Sequence, residues 1–401
     1  MSRILFISPY VPYPLNNGGR IRIFNLLRHL AVRHKVTLLT YFTQQSQDIS
    51  AKSILNNIGV NSIFIKKPIR SRLYQTGKLF TITPYQYYRY WSDEMQNKIH
   101  DIVVQQNIDI IHIEHSYMGF FNLFFERPVK TVLDMQNIES DILWQTFKRS
   151  KNSLRKWFSL WEWIRFSRSE KHIVKQFDYI TVVSREDRDW VQQYLRVGQK
   201  VLVVPNGVDL KFYSAHSRQK PKHIVFIGTM RYYPNVDAVL YFVKRIFPII
   251  KKYLPNIKLY IVGQDPTIEI KNLHNNNDII VTGLVNDVRP YLNKALVAVV
   301  PLRIGSGTRL KILEAWAAGV PVVTTSVGCY GLEFVPNEHL IVADNPNEFA
   351  KAVIKLVKNQ NLRIRLSRAG MKLVERKYSW KAIFATIDDI YDLHITNGVY
   401  E

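Results

Sequence analysis

Short apolar runs alternate with longer amphipathic stretches along this chain, and the alternation starts a second time at its middle. Ile4–Ser8, Val36–Thr40, Ile108–Ile113, Val132–Asp134, Tyr179–Val183 and Val201–Val204 are each too short for a helix and apolar on both faces. A strand buried on both sides fits such runs, and parallel sheets covered by helices provide that environment. After Pro205-Asn206-Gly207-Val208-Asp209 the pattern resumes with His223–Gly228, Lys258–Val262, Ile279–Thr282, Leu296–Val300 and Pro321–Thr325. The expectation is an α/β protein of two Rossmann-like domains, 1–205 and 206–378, with a hinge near Asn206-Gly207. The 401 residues suit two cores better than one.

Composition narrows the partners. Lys plus Arg number 55 against 32 Asp plus Glu, a net charge of +23, which calls for a polyanionic or acidic surface. Nucleic acid, anionic lipid and phosphorylated small molecules all qualify. With 47% hydrophobic residues the chain is globular rather than disordered. The single cysteine, Cys329, can form neither an internal disulfide nor a multi-cysteine zinc site, so the expected compartment is the cytoplasm. No apolar run approaches the length of a bilayer span, and the run at the start is too short for a signal peptide. Contact with a membrane would therefore be peripheral, at its inner face.

The most informative stretch runs from Ala298 to Pro321 and reads strand, glycine-rich loop, helix. Gly305 and Gly307 permit close approach of backbone to a ligand, and a helix opening near Thr308 aims free amides and its positive dipole end at an anion. Arg309 offers a planar fork and Lys311 a point charge, a pair suited to a diphosphate. Glu314 follows on the same helix face, where a carboxylate can accept the hydroxyl protons of a ribose. Gly319 and Pro321 stop the helix and admit the next strand.

The segment Pro301–Pro321 resembles the donor-binding signature of family 4 glycosyltransferases, whose GT-B fold places two Rossmann-like domains face to face across a central cleft. The resemblance extends to Val204-Pro-Asn-Gly-Val-Asp209, Val225-Phe-Ile-Gly-Thr-Met230, Tyr233-Pro-Asn235, Ile261-Val-Gly263 and Val281-Thr-Gly-Leu-Val285. It implies a nucleotide diphosphate sugar as donor, retention at the anomeric carbon, no metal and no other cofactor. It carries donor binding onto Ser306, Gly307, Thr308, Arg309, Lys311 and Glu314, and onto Gly228, Thr229 and Arg231 in the loop after an earlier strand. Ser306 stands where many members have the first of two glutamates. Gly283–Val285 resembles the loop that meets the base, and residues 379–401 resemble a closing helix that packs on the first domain. For Asn235 the preferred reading is a helix N-cap.

In the first half, Gly18-Gly19 opens a helical pattern after the strand Ile4–Ser8. Its glycine spacing is not a dinucleotide fingerprint. By resemblance it reaches across the cleft toward donor phosphate and acceptor. His112, Glu114 and His115 sit at a strand end, and the resemblance implies a sugar contact here. Glu114 and His115 are the catalytic candidates alongside Arg309 and Lys311, His112 reads as a core residue, and which of the three faces the cleft stays open. Gln136, Asn137 and Glu139 resemble an acceptor-side motif, with capping as the alternative. Between Lys148 and Lys175 the net charge is +7, and Leu154, Trp157, Phe158, Trp161 and Ile164 recur at helical spacing. This pattern suits an anionic membrane interface and equally a helix facing the core. Tyr85–Trp91 could extend that surface or stack on sugars.

The expected function is transfer of a sugar from a nucleotide diphosphate sugar to a lipid-linked or saccharide acceptor in cell-surface polysaccharide or glycolipid synthesis. Specific nucleic-acid binding is not expected. The alternative is a non-catalytic GT-B protein that binds a nucleotide-sugar or anionic lipid.

Overall fold

A computed structural model describes residues 1–391 apart from 44, 71–76, 78–80, 122, 151–152, 195–197, 199 and 215–220. The chain forms two compact units, one of residues 1–204 with the segment from Phe384 onward, the other Pro205–Ile383.

The first unit contains β1 (Arg3–Ser8), β2 (Lys35–Phe42), β3 (Val60–Lys66), β4 (Ile110–Glu114), β5 (Lys130–Met135), β6 (Tyr179–Val182) and β7 (Lys200–Val203). All pairings are parallel, in the order β3-β2-β1-β4-β5-β6-β7. The second unit contains β8 (His223–Ile227), β9 (Lys258–Val262), β10 (Ile279–Gly283), β11 (Ala295–Val300), β12 (Val322–Thr324) and β13 (Ile341–Val342), parallel in the order β10-β9-β8-β11-β12-β13. Each sheet is doubly wound. The chain builds outward on one side, returns to the middle and builds outward on the other, so the order reverses between β1 and β4 and between β8 and β11. Loops leave the carboxyl ends of those neighbouring strands in opposite directions and open a crevice, the usual ligand position in open α/β sheets.

The apolar runs form strands as expected because both faces are covered: Ile4, Leu5, Phe6 and Ile7 are fully buried, as are Ile110, Ile111 and Ile113. Two strands lie outside the runs read from sequence. β3 is an edge strand whose polar Asn61 and Ser62 dilute its apolar signal, and β13 is two residues long. The helix Gly18–Arg33 starts where the Asn17 side chain accepts the Arg20 amide at 3.0 Å, and it buries Ile23, Phe24, Leu26, Leu27 and Leu30.

One polar tie runs through the first unit's interior. Arg22, on that helix, donates to both Asp134 oxygens at 2.8 and 3.0 Å and to the Val204 carbonyl at 2.9 Å, while Thr181 Oγ1 donates to Asp134 at 2.8 Å. Helix, β5, β6 and the exit from β7 are thereby joined at one point. Burial alone would raise the Asp134 carboxyl; the Arg22 guanidinium outweighs it and holds that carboxyl below its ordinary range. Removing one partner strands a buried charge. Arg22→Met should cost about 3–5 kcal/mol in the first unit's urea transition, and Arg22→Met with Asp134→Leu should recover part of that loss. Equal losses for single and double variants would show that the pair does not act as a unit.

Candidate functional site

In the second unit the reversal point gathers the loop after β8 and the loop after β11. Gly228 follows β8 and lies where any side chain would collide: a Cβ there would be 2.7 Å from Asn235 Nδ2 and 3.1 Å from Lys311 Nζ. Gly263, after β9, is tighter still, with φ +155° and a Cβ position 1.8 Å from the Gly228 carbonyl oxygen. The result is a stretch of bare backbone beside an ammonium group.

Lys311 lies on the first turn of the helix Leu310–Ala317. Its Nζ donates to Asn235 Oδ1 at 2.6 Å and sits 4.4 Å from the centre of the Phe226 ring. Asn235 Nδ2 in turn donates to the Thr229 carbonyl at 3.0 Å. The amide of Asn235 thus ties the loop after β8 to the cation on the helix. This corrects the reading of Asn235 as an N-cap: the helix begins at Tyr233 with Tyr232 at the cap position, so Asn235 lies inside the first turn. Pro234 was the available signal, since proline favours the opening positions of a helix. Arg231 is exposed. One helical turn beyond Lys311, Glu314 shares a hydrogen bond with Tyr213, a residue that sequence reading did not single out.

Burial lowers Lys311 to about 7, with Arg309 adding to the shift and Glu314 opposing it. Burial raises Glu314 to about 7, against the Tyr213 hydrogen bond and the Lys311 charge. In both cases desolvation disfavours the ion. An anion arriving at Lys311 would restore its charge.

Arg309 sits differently from the diphosphate-binding fork that the sequence suggested. It is buried, and its guanidinium donates to the carbonyls of Ser306 and Val327 and packs against Gly305. Its work in this structure is to hold the glycine-rich loop in shape. Ser306 and Thr308 are buried in that loop, and Gly307 adopts φ +79°. The segment implied to meet a base, Gly283–Val285, starts at the last residue of β10 and exposes Leu284.

In the first unit the loops after β1 and β4 meet at the equivalent reversal. Gly19 lies against the Tyr10 hydroxyl and Gln136, and Gly18 precedes it at the helix start. His115, at φ +70° immediately after β4, shares a 3.2 Å hydrogen bond with Tyr10 Oη and stacks on Tyr117. Burial lowers its pKa to about 4, so the ring is neutral at physiological pH. Glu114 is fully buried and accepts from Gln136 at 2.6 Å. Its carboxyl is raised by burial and by Asp134. His112 is buried as expected, bonded through Nδ1 to the Tyr391 hydroxyl at 2.7 Å. Gly18, Gly19, Glu114 and His115 therefore lie together in the first unit, while in the second Gly228, Thr229 and Lys311 meet at Asn235 and Arg231 and Arg309 point elsewhere.

His112, Glu114 and Asp134 place possible metal-ligand atoms within 4.8 Å of one another. The donor set is poorly suited to a cation. Arg22 occupies both oxygens of Asp134, and Gln136 donates to Glu114. A guanidinium against the same carboxylate repels an added metal ion.

Two family descriptions match this chain: Glycosyltransferase Family 4 over residues 16–212 and Glycosyl transferases group 1 over residues 221–359. The chain belongs to the family 4, group 1 glycosyltransferases. A Klebsiella pneumoniae relative, described as an uncharacterized 44.6 kDa protein in cps region, is 22% identical over 96% of this chain and 99% of its own. Sucrose-phosphate synthase from Thermosynechococcus elongatus superposes with a TM-score of 0.71 at 16% identity, covering 98% of this chain and 99% of that one. The Anabaena protein Alr3699/HepE, solved with UDP and glucose, gives 0.65 at 12% identity over 98% of this chain and all of the other. Such likenesses fix the fold, GT-B, with each unit of this glycosyltransferase one of its two Rossmann-like domains.

The paired shifts at Lys311 and Glu314 give a pH signature. The cation is present below about 7 and the carboxylate above about 7. Affinity for a nucleotide-sugar should therefore peak near neutrality and fall on both sides. By titration calorimetry, Lys311→Arg should flatten the alkaline limb and Glu314→Gln the acid limb. A flat wild-type profile would remove both groups from the ligand.

Proposed function

We propose that this enzyme takes a nucleotide diphosphate sugar and moves its hexose, with configuration kept, to the hydroxyl of a lipid-linked or saccharide acceptor in cell-surface polysaccharide or glycolipid synthesis. The observation that carries the donor half is the meeting of bare backbone at Gly228 with the Lys311 ammonium, beside a helix N-terminus and a glycine-rich loop. A diphosphate matches that surface in charge and in the close approach it needs. Glu314, one turn on, is placed to accept ribose hydroxyls, with Tyr213 fixing its carboxyl.

As the bond from sugar to diphosphate breaks, negative charge grows on the departing phosphate oxygen. Lys311 and the positive end of the helix Leu310–Ala317 stabilise it more strongly than the esterified ground state, and that difference lowers the barrier. The new glycosidic bond forms to the acceptor oxygen, whose proton leaves with the diphosphate. Arg309 contributes by holding the loop, through Ser306 and Val327. The first unit has polar groups of its own, neutral His115 bonded to Tyr10 and Glu114 bonded to Gln136, of the kind that hydrogen-bond a hydroxyl. The reaction uses no metal in this reading, since positive charge comes from Lys311. UDP bound to a GT-B neighbour favours a uridine donor. We place the enzyme in the cytoplasm, at the inner face of the membrane; among the described residues no helix is long and apolar enough to cross it.

Lys311→Ala should reduce turnover by about two to three orders of magnitude, the usual cost of a lost oxyanion donor, with circular dichroism unchanged. Arg309→Ala should also reduce turnover. In a thermal-shift panel of UDP, GDP, ADP, CMP and their sugar conjugates, one base should raise Tm and Glu314→Ala should abolish the rise. No rise with any nucleotide, or full rates from both Lys311→Ala and Arg309→Ala, would overturn the assignment.

A further inference from the structure

The helix Ser153–Val174 is inside out over its first half. Its inward positions there are Ser159, Glu162 and Arg165, whereas Leu154, Trp157, Phe158 and Trp161 are 86, 65, 45 and 44% exposed. Those four follow the i, i+3, i+4, i+7 spacing of a single helix face. Globular helices turn such a stripe to the core.

The inverted orientation is fixed by what the buried charges hold. Glu162 pairs with Arg165 at 2.5 Å and accepts the Tyr85 amide at 3.2 Å, and Arg165 also donates to the Thr83 carbonyl. Rolling the helix to bury its tryptophans would expose this pair and release the segment at 83–85. The apolar face is therefore held outward by a polar anchor.

The preceding helix, Glu139–Arg149, widens the face. Trp144 lies 4.6 Å from Trp163, and Phe147 lies 6.3 Å from Trp157, centre to centre. Cations sit on these rings: Lys148 is 4.7 Å from the centre of Trp144 and Lys156 is 5.4 Å from that of Phe147. Lys148, Arg149, Arg155, Arg168 and Lys175 are exposed, while the acids of this stretch, Glu162 and Glu170, are buried. Among the described residues from 148 to 175, every exposed ionic group is cationic; Lys151 lies outside them.

An apolar, indole-rich strip bordered by cations matches one kind of surface. Indoles favour the headgroup layer, where the ring is in apolar surroundings and its N–H stays wet, and lysine and arginine meet lipid phosphate. A polyanion without an apolar layer would satisfy the cations and leave the four exposed apolar side chains in water. We propose that Leu154, Trp157, Phe158 and Trp161, bordered by Lys148, Arg149 and Arg155, dock this protein on a bilayer containing anionic phospholipid. The inference deepens the reading of a lipid-linked acceptor at the inner membrane face and rests on it for its purpose, although docking itself involves no sugar transfer.

Flotation of the full chain with vesicles of phosphatidylcholine alone and of phosphatidylcholine with a quarter phosphatidylglycerol tests this. Binding should require the anionic lipid and weaken at high salt. Tryptophan emission should shift to the blue on binding. Trp157→Ser with Trp161→Ser should reduce binding at least tenfold, and Arg155→Glu should reduce it less. Because these side chains are exposed, the variants should keep the wild-type Tm and nucleotide response. Undiminished binding by the double serine variant would reduce the effect to charge alone and overturn the proposal. A stable dimer in sedimentation, abolished by the same variant, would assign the face to a second copy and also overturn it. Glu314→Ala separates the two readings, since it should lose the nucleotide response and keep vesicle binding. Vesicle binding without any nucleotide response would sink the transfer reading alone, and the reverse would sink docking alone.

Discussion

A parallel sheet covered on both faces can present polar chemistry only at its strand ends, and that constraint organises both halves of this protein. The apolar runs that fill β1, β4, β8 and β11 leave no room for a ligand along the strands. Strand order reverses once in each sheet, so the loops of β1 and β4, and of β8 and β11, diverge at their carboxyl ends. Gly19, Tyr10, His115 and Gln136 meet at one reversal, and Gly228, Asn235 and Lys311 at the other. The chemistry of the chain follows from where its sheets turn.

Around those points the protein holds charge in apolar surroundings and orients it through short chains of contacts. Asp134 stays ionised because Arg22 meets both its oxygens, and it anchors three strands and a helix. Lys311 is left in a desolvated position with a neutral amide for a partner, which keeps its pKa near neutrality and leaves its charge to be completed by an anion. The same physics produces opposite results: a bidentate partner makes a structural tie, and a neutral one leaves a site.

The face formed by the two helices between Glu139 and Val174 follows a related logic. There the ion pair faces inward and the tryptophans outward, because Glu162 and Arg165 hold the backbone at 83–85. Of the four tyrosines between 85 and 90, Tyr87 and Tyr90 are buried against Phe120, Phe166 and Tyr117, and Tyr85 and Tyr88 are half-buried.

Much of this was legible in the sequence. Alternating apolar runs dictate two α/β domains, because a short run apolar on both faces is stable only inside a covered sheet. The loop Gly305-Ser306-Gly307-Thr308 with Lys311 and Glu314 was readable as one glycine-rich loop and helix opening, since spacing along one helix turn is a local property. Tertiary structure decided what depends on distant neighbours. Asn235 reaches Lys311 across 76 positions, Arg309 turns inward to the carbonyl of Val327, and His112 is claimed by Tyr391, 279 positions away. The direction of the Trp157 face was undetermined by periodicity, which gives a helix two faces without saying which is in. That choice was made by where a buried Glu162–Arg165 pair finds backbone to hold.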